Sequence, residues 1–365
     1  MKIGLVLGTR PQIIKSVPII IEASKNENIQ LDVIHTGQHY DYNMSHIFFD
    51  EMDLPDPLIN LNVGSGTHGF QTGKIMIELE NVLHRIKPDI VLVPGDTNST
   101  LAAALTAAKM HIQVAHFEAG ARSFDMSMPE EINRRLTDHC SDILFTVTEN
   151  CMKNLLKEDI QSNKIYQVGD TMYDVLLMNR IKINKSKVLK NNDLIENEYI
   201  TITTHRQENV DDPYKLKCLV NMLIELSDLK FVFPIHPRTR NRLKDNNLIK
   251  KLEKAENVKL LSPLNYHDMI KLIKNSKILL TDSGGMQKEA YWLKIPCITL
   301  RENTEWIETI EFGANILLEV SNTEIKNHIK MLFNEDIISA NFTQNPYGDG
   351  KSAEKIIHIL ENKIK

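Results

Sequence analysis

Short apolar runs closed by turn residues alternate with longer segments of helical period along almost the whole chain. A strand buried on both faces reads as an unbroken apolar run, and two parallel neighbours need a helix-sized crossover between them. The alternation therefore specifies repeated βα units around parallel sheets. Expected strands in the first half are Lys2 to Leu7, Leu31 to His35, Ile90 to Pro94, Gln113 to Phe117, Ile143 to Val147 and Ile165 to Val168. Helical segments such as Ile14 to Ser24, Lys74 to Arg85 and Thr100 to Lys109 fill the gaps. A second series has strands near Tyr199 to Thr203, Lys230 to Pro234, Val258 to Leu261, Ile278 to Thr281, Cys297 to Leu300 and Asn315 to Leu318. Between them, Asn179 to Asn197 is rich in Lys, Asn, Ile and Glu and lacks a sheet pattern. The reading is α/β, with two Rossmann-like doubly wound parallel-sheet domains and a cleft between them. The N-terminal domain is expected over 1–172, a linker region over 173–198, the second domain over 199–350 and a C-terminal helix over 351–365. A length of 365 residues agrees with two domains at roughly 150 residues each.

Composition narrows the function. With 42% hydrophobic and 25% charged residues the chain has the make-up of an ordinary globular protein. A net charge of −5 and a pI near 6.2 argue against a nucleic-acid partner and leave room for a local basic pocket that takes a small phosphorylated molecule. No stretch approaches the ~20 apolar residues that cross a bilayer, and Gly8-Thr9-Arg10 interrupts the first apolar run before a signal-peptide core forms. Cys140, Cys151, Cys218 and Cys297 lie far apart without a C-x-x-C pair, which fits a reducing cytoplasm.

In doubly wound sheets, ligands bind at the carboxyl ends of the strands. The first such end is Gly8-Thr9-Arg10-Pro11-Gln12-Ile13-Ile14-Lys15, where Gly8 suits a tight turn and Pro11 the first turn of a helix. Arg10 and Lys15 near a helix N-terminus oppose its dipole, and a bound diphosphate would account for both. The strand ending at Pro94 runs into Gly95-Asp96-Thr97-Asn98, and the next into Glu118-Ala119-Gly120. Asp96 alone reads as a helix cap. Pro129-Glu130-Glu131 adds two acids on the first turn of a helix. Three groups of acids at one sheet edge suit proton transfer at carbon.

The second half brings Thr204-His205-Arg206 and His236-Pro237-Arg238-Thr239-Arg240 to strand ends. Asp282-Ser283-Gly284-Gly285 then leads into a helix whose free N–H groups suit a phosphate, with Glu289 one to two turns on, where ribose hydroxyls would reach it. Gly64-Ser65-Gly66-Thr67-His68-Gly69 matches G-x-G-x-x-G but does not follow the first strand, so it is not read as a dinucleotide site. The 13 histidines include no H-E-x-x-H, and His35 and His39 lack a convincing acidic partner, so no metal is expected.

Taken in order, Gly8-Thr9-Arg10-Pro11, Thr36-Gly37-Gln38-His39-Tyr40-Asp41, Gly95-Asp96-Thr97, Glu118-Ala119-Gly120, Pro129-Glu130-Glu131-Ile132-Asn133-Arg134, Thr204-His205-Arg206, Asp282-Ser283-Gly284-Gly285 and Asn345-Pro346-Tyr347-Gly348 resemble the non-hydrolysing UDP-N-acetylglucosamine 2-epimerase family over nearly the whole chain. The resemblance implies a GT-B-like fold with the nucleotide sugar between two Rossmann-like domains. The implied reaction removes the C2 proton while UDP leaves C1, giving a 2-acetamidoglucal, then adds a proton on the other face and returns UDP. By resemblance Asp96, Glu118, Glu130 and His205 are the catalytic candidates. Substrate contacts would come from Arg10, Lys15, Gln38, His39, Glu131, Arg206, His236, Arg238, Ser283, Gly284, Gly285, Glu289 and Arg301. The scheme needs no metal and no nicotinamide. It implies a homodimer with a UDP-sugar as its partner, and bacterial members often add a second, activating nucleotide-sugar site.

The chain departs from plain UDP-N-acetylglucosamine epimerases at Gln12, usually Glu, and at Trp306, usually an Arg associated with the nucleotide. With Gln287-Lys288-Glu289-Ala290 and Val168-Gly169-Asp170-Thr171-Met172-Tyr173-Asp174, this looks like the branch acting on UDP-2,3-diacetamido-2,3-dideoxy-D-glucuronate. A uronate would want an added cation, for which Arg238, Arg240 and Arg301 are available. The alternatives are UDP-N-acetylglucosamine as substrate and, in another class, a GT-B glycosyltransferase, which would have no use for three acids around C2.

Overall fold

The computed structural model describes residues 1–38, 52, 54, 56–334 and 340–364. His39, Tyr40 and Asp41 of the expected site lie outside the described residues. Among the described residues thirteen strands form two all-parallel sheets. The first contains β1 (Lys2–Leu7), β2 (Gln30–His35), β3 (Ile59–Asn60), β4 (Ile90–Pro94), β5 (Gln113–Ala119), β6 (Ile143–Thr146) and β7 (Ile165–Gln167), in the order β3-β2-β1-β4-β5-β6-β7. The second contains β8 (Ile200–Thr203), β9 (Phe231–Pro234), β10 (Val258–Leu261), β11 (Ile278–Thr281), β12 (Cys297–Thr299) and β13 (Asn315–Leu317), in the order β10-β9-β8-β11-β12-β13. Each order reverses at one place, between β1 and β4 and between β8 and β11. That reversal opens the crevice in which doubly wound sheets bind ligands.

The central strands form because most residues in them are apolar and sealed on both faces. Ile3, Leu5, Val6 and Leu7 of β1 and Ile90, Val91, Leu92 and Val93 of β4 have no exposed surface. The second sheet is built alike around Ile200, Ile202, Phe231, Phe233, Ile278 and Leu280. Two compact units result, Met1–Leu177 with Asn345–Lys365, and Met178–Gln344. The segment expected as a linker contains short helices at Arg180–Lys185 and Val188–Asn191, within the second unit. The terminal helix Ser352–Lys363 belongs to the first unit, where Ile356, Ile357 and Leu360 join the cluster of Ile13, Ile19 and Ile20.

The chain's return to the first unit is fixed by polar groups. Asp170 donates its N–H to the Tyr347 carbonyl at 2.8 Å, and Asp174 accepts the Ala353 N–H at 2.8 Å. Burial pushes the Asp174 carboxyl up to about 6 against the pull of its hydrogen bonds from Ala353 and Ser352. A Cβ on Gly169 would lie 2.7 Å from the Tyr347 carbonyl oxygen, so glycine is required there. The Asn345-Pro346-Tyr347-Gly348 motif thus has a structural use.

Candidate active site

In the first unit the strand ends of β1, β4 and β5 bring Lys15, Asp96 and Glu118 to one edge. Gly8 adopts no left-handed φ; its missing Cβ is needed for close packing, because one would fall 2.1 Å from Ser99 Oγ and 2.2 Å from Thr36 Oγ1. The tight-turn expectation gives way to close approach. Gln12 is buried and structural. Its Oε1 accepts the Gly8 N–H at 2.9 Å, and its Nε2 donates to the Pro94 carbonyl and Thr100 Oγ1, both at 2.8 Å. Arg10, half-buried, opens the helix Arg10–Ser24 with Pro11 in its first turn. Gln38 Oε1 accepts from the Ser99 N–H at 3.1 Å and from Ser99 Oγ at 2.6 Å.

Asp96 is not the cap of the helix Asn98–Lys109. That role belongs to Thr97, which forms a capping box with Thr100. The Asp96 carboxylate is released for another partner and meets Arg134 Nη2 at 2.5 Å while its side chain stays 35% exposed. Glu118 accepts a hydrogen bond from the Lys15 ammonium, and both side chains are nearly buried. Glu118 has φ +67°, and β5 shifts register against β6 at this point. A left-handed non-glycine residue in a strand costs on the order of 1 kcal/mol, a strain found where side chains must be re-aimed. A Cβ on Gly95 would lie 3.2 Å from Glu118 Oε2 and 3.3 Å from Lys15 Nζ, so this glycine leaves room for the pair.

The helix Pro129–Cys140 supplies the remaining acids. Glu130 is half-buried on its first turn. Glu131 is fully buried with both oxygens occupied: Oε2 accepts from the Ser123 N–H at 2.9 Å, Ser123 Oγ at 3.0 Å and Arg134 Nη1 at 3.1 Å, and Oε1 from Arg135 Nε at 3.1 Å. These partners make Glu131 the anchor of Arg134, which in turn holds Asp96. Arg134 itself was not among the expected site residues, although its spacing of three from Glu131 is a readable helical ion-pair signal. His116 and Asp138, equally unexpected, are sealed in the same unit. The hydrogen bond between His116 Nδ1 and Asp138 Oδ1 is 2.7 Å long. Burial would push the Asp138 carboxyl up, but the hydrogen bond and charge of His116 and the charge of Arg122 outweigh it and hold the group below the usual carboxylate range.

In the second unit one buried carboxylate arranges the strand ends. Asp282 Oδ2 accepts from Thr204 Oγ1 at 2.6 Å, from the N–H groups of His205 and Arg206 at 3.0 Å each, and from Asn209 Nδ2 at 3.2 Å. His205 Nδ1 lies 3.5 Å from Asp282 Oδ1, which directs Nε2 away from the carboxylate. The rings of His205 and His236 stand 5.4 Å apart. His236 Nδ1 accepts the Arg238 N–H at 3.2 Å, so Nε2 carries the proton of the neutral ring. Ser283 stands at the N-cap position of the helix Gly284–Leu293 without a side-chain capping hydrogen bond, and a Cβ on Gly285 would meet nothing within 4 Å, so open space lies beside Gly285 at this helix start. Arg206 is half-buried, while Glu289 is buried further along that helix. Arg238 is paired with Asp211. Arg301 grips Glu305 with two guanidinium nitrogens at 3.0 and 3.1 Å.

Each unit thus carries acids or bases at the carboxyl edge of a doubly wound parallel sheet, the edge at which α/β enzymes bind their ligands. The family model for UDP-N-acetylglucosamine 2-epimerase matches residues 21–361. A relative named UDP-N-acetylglucosamine 2-epimerase from Methanocaldococcus jannaschii is 50% identical, the match covering 99% of both chains. A Pseudomonas aeruginosa relative named UDP-2,3-diacetamido-2,3-dideoxy-D-glucuronate 2-epimerase is 40% identical over 99% of both chains. A crystal structure of the Methanocaldococcus jannaschii UDP-GlcNAc 2-epimerase in complex with UDP-GlcNAc and UDP superposes with a TM-score of 0.92 at 49% identity, covering 99% of this chain and 100% of that one. The chain belongs to the UDP-N-acetylglucosamine 2-epimerase family and is a UDP-sugar 2-epimerase, an isomerase. Among the described residues no helix is long and apolar enough to cross a membrane.

Proposed function

We propose that the chain interconverts UDP-N-acetylglucosamine and UDP-N-acetylmannosamine. The observation that carries this choice is the commitment of two of the three guanidinium groups offered for a uronate: Arg301 is held by Glu305 and Arg238 by Asp211. Both sequence departures are accounted for by local contacts. Gln12 is spent on the backbone of Gly8 and Pro94 and on Thr100. At Trp306 the missing arginine is matched by Lys288, whose ammonium stands 3.5 Å from the ring centroid. The identity of the Methanocaldococcus relative supports the same substrate.

In the proposed reaction one carboxylate of Asp96, Glu118 and Glu130 takes the C2 proton. The C1–O bond breaks with its electron pair on UDP, leaving a 2-acetamidoglucal. Another acid of the set delivers a proton to the opposite face, and UDP returns to C1. A carbon acid with no adjacent carbonyl needs this departing diphosphate to carry the charge, so cations there lower the barrier. Arg10, Lys15 and His205 are assigned that task. Ser283, Gly284 and Gly285 hold the phosphates, and Gln38, His39, Arg206, His236 and Glu289 are kept as further substrate contacts. A cytoplasmic homodimer with an activating nucleotide-sugar site remains part of the proposal.

The second reading, epimerisation of UDP-2,3-diacetamido-2,3-dideoxy-D-glucuronate, is favoured by Arg240. It is half-buried and forms no ion pair with the described residues, so it is the one cation of the expected three left for a carboxylate. Proton NMR in D2O, with each sugar nucleotide supplied separately, decides. Loss of the C2 proton signal and growth of the manno anomeric signal from UDP-N-acetylglucosamine is the expected outcome. Turnover of the diacetamido-uronate alone would transfer the assignment to the second reading.

A further inference from the structure

Behind the reacting edge, Asp96 starts a continuous run of charged groups that ends on the backbone flanking Asp96 and Glu118. From Asp96 it passes through Arg134 to Glu131 and on to Arg135, with contacts of 2.5, 3.1 and 3.1 Å. Arg135 lies 3.9 Å from Glu158, which Arg122 grips with Nε at 2.9 Å and Nη2 at 2.8 Å. Arg122 Nη1 then meets Asp138 Oδ2 at 2.7 Å, and Asp138 Oδ1 meets His116. The run closes on itself, because His116 Nε2 lies 2.7 Å from the carbonyl oxygen of Gly95, the residue before Asp96.

Both ring nitrogens of His116 therefore face acceptors. A peptide carbonyl cannot donate, and a carboxylate gripped by a guanidinium has no proton to give, so the ring must donate twice, which only the imidazolium can do. Charge arithmetic agrees. Among the described pairs of this run four carboxylates (Asp96, Glu131, Glu158, Asp138) face three guanidinium groups (Arg122, Arg134, Arg135), and a cationic His116 would be the fourth positive charge. The exposed His139, 3.4 Å from Glu158, is the other titratable group at this run.

The geometry at the two strand ends shows what such a ring would do. The Gly95 peptide is held from both sides, its N–H by the Phe117 carbonyl at 3.0 Å and its own carbonyl by His116. Asp138 Oδ2 also accepts the Gly120 N–H at 3.1 Å. One buried pair thus grips the residue before Asp96 and the residue two beyond the left-handed Glu118. We propose that His116, as a buried imidazolium seated on Asp138, is a positioning residue for epimerisation, fixing the aim of Asp96 and Glu118 without touching the sugar. This rests on the acid/base assignment of those two carboxylates.

The ring state is read on the free enzyme by long-range proton–nitrogen correlation of histidine labelled with nitrogen-15. The His116 signals are identified by their loss in His116→Gln or by their displacement in Asp138→Asn. Two protonated ring nitrogens at neutral pH are expected, and an unprotonated nitrogen in the wild type would overturn the proposal. His116→Gln and Asp138→Asn should lower kcat for C2 exchange by on the order of 10²-fold, the cost of displacing reacting groups by about 1 Å, with KM within a few-fold of wild type. An unchanged kcat in either folded variant would overturn it as well. If His116→Gln does not fold, Asp138→Asn and the wild-type ring state still decide. A wild type that exchanges no proton in any UDP-sugar would refute the proposed function instead, since the ring is read without substrate.

Discussion

At the residue scale, the structure separates groups poised for chemistry from those that hold them. Asp96 is partly exposed and has a single guanidinium on one oxygen, whereas Glu131, next to the candidate acid Glu130, is fully buried and saturated by protein donors. Asp96→Asn is therefore expected to cut turnover by at least ~10²-fold, the usual worth of a general acid or base, while UDP affinity stays within a few-fold. Deuterium incorporation at C2 and titration with UDP measure the two halves of that statement, and an unchanged rate would remove Asp96 from the mechanism. The sequence marked Asp96, Glu118 and Glu130 because each follows a strand or opens a helix. It could not mark Asp138, which meets His116 across 22 residues and two elements, and it named Asp282 only within its motif, since the part of Asp282 is visible only once Thr204, His205 and Arg206 fold over it. Long-range polar contacts leave no periodic trace in a chain.

At the element scale, legibility follows burial. The strands expected from unbroken apolar runs are present, with ends moved by one or two residues. β5 runs on to Ala119 because the left-handed Glu118 lets the strand continue past its expected end. β3 was not expected: two half-buried residues, Ile59 and Asn60, carry no run to recognise. Helix starts at Arg10, His68 and Asn98 precede the expected ones; Pro11 extends the first helix and the Thr97–Thr100 capping box the third ahead of their apolar stripes. The terminal helix offers a test in pH. Asp174, which caps it, has a folded value of about 6 against an ordinary 3.8, so the folded state binds the extra proton. Its contribution is fully present below the unfolded value and is lost as pH rises through the folded one, removing about 2 kcal/mol between pH 4 and 7. Asp174→Asn keeps an acceptor for the Ala353 N–H and has no charge to bury. Urea unfolding should therefore show the variant gaining on wild type by up to about that amount as pH rises from 4 to 7, and a constant difference would mean that Asp174 ionises freely.

At the scale of the whole molecule, two units with separate cores carry different parts of the proposed chemistry, the acids in Met1–Leu177 and the open helix N-terminus at Gly284 in Met178–Gln344. The two-unit plan was legible because each sheet declares itself in its own series of buried strands. The return of Asn345–Lys365 to the first unit was not, because a single amphipathic helix fits either core equally well by pattern. This division makes nucleotide binding measurable unit by unit. UDP at about 100 times its Kd stabilises whatever it binds by about 2.7 kcal/mol, which suppresses amide exchange in the elements that contact it. Protection is expected in 204–209 and 282–287, the strand ends that Asp282 ties together. It is also expected in 8–15 and 95–99, because Arg10 and Lys15 are assigned to the diphosphate. Protection confined to the second unit would leave the nucleotide there and take Arg10 and Lys15 off the departing UDP. The charge released when the C1–O bond breaks would then have to be met by His205 and the helix N-terminus alone, and Lys15 would be left as the hydrogen-bond partner of Glu118.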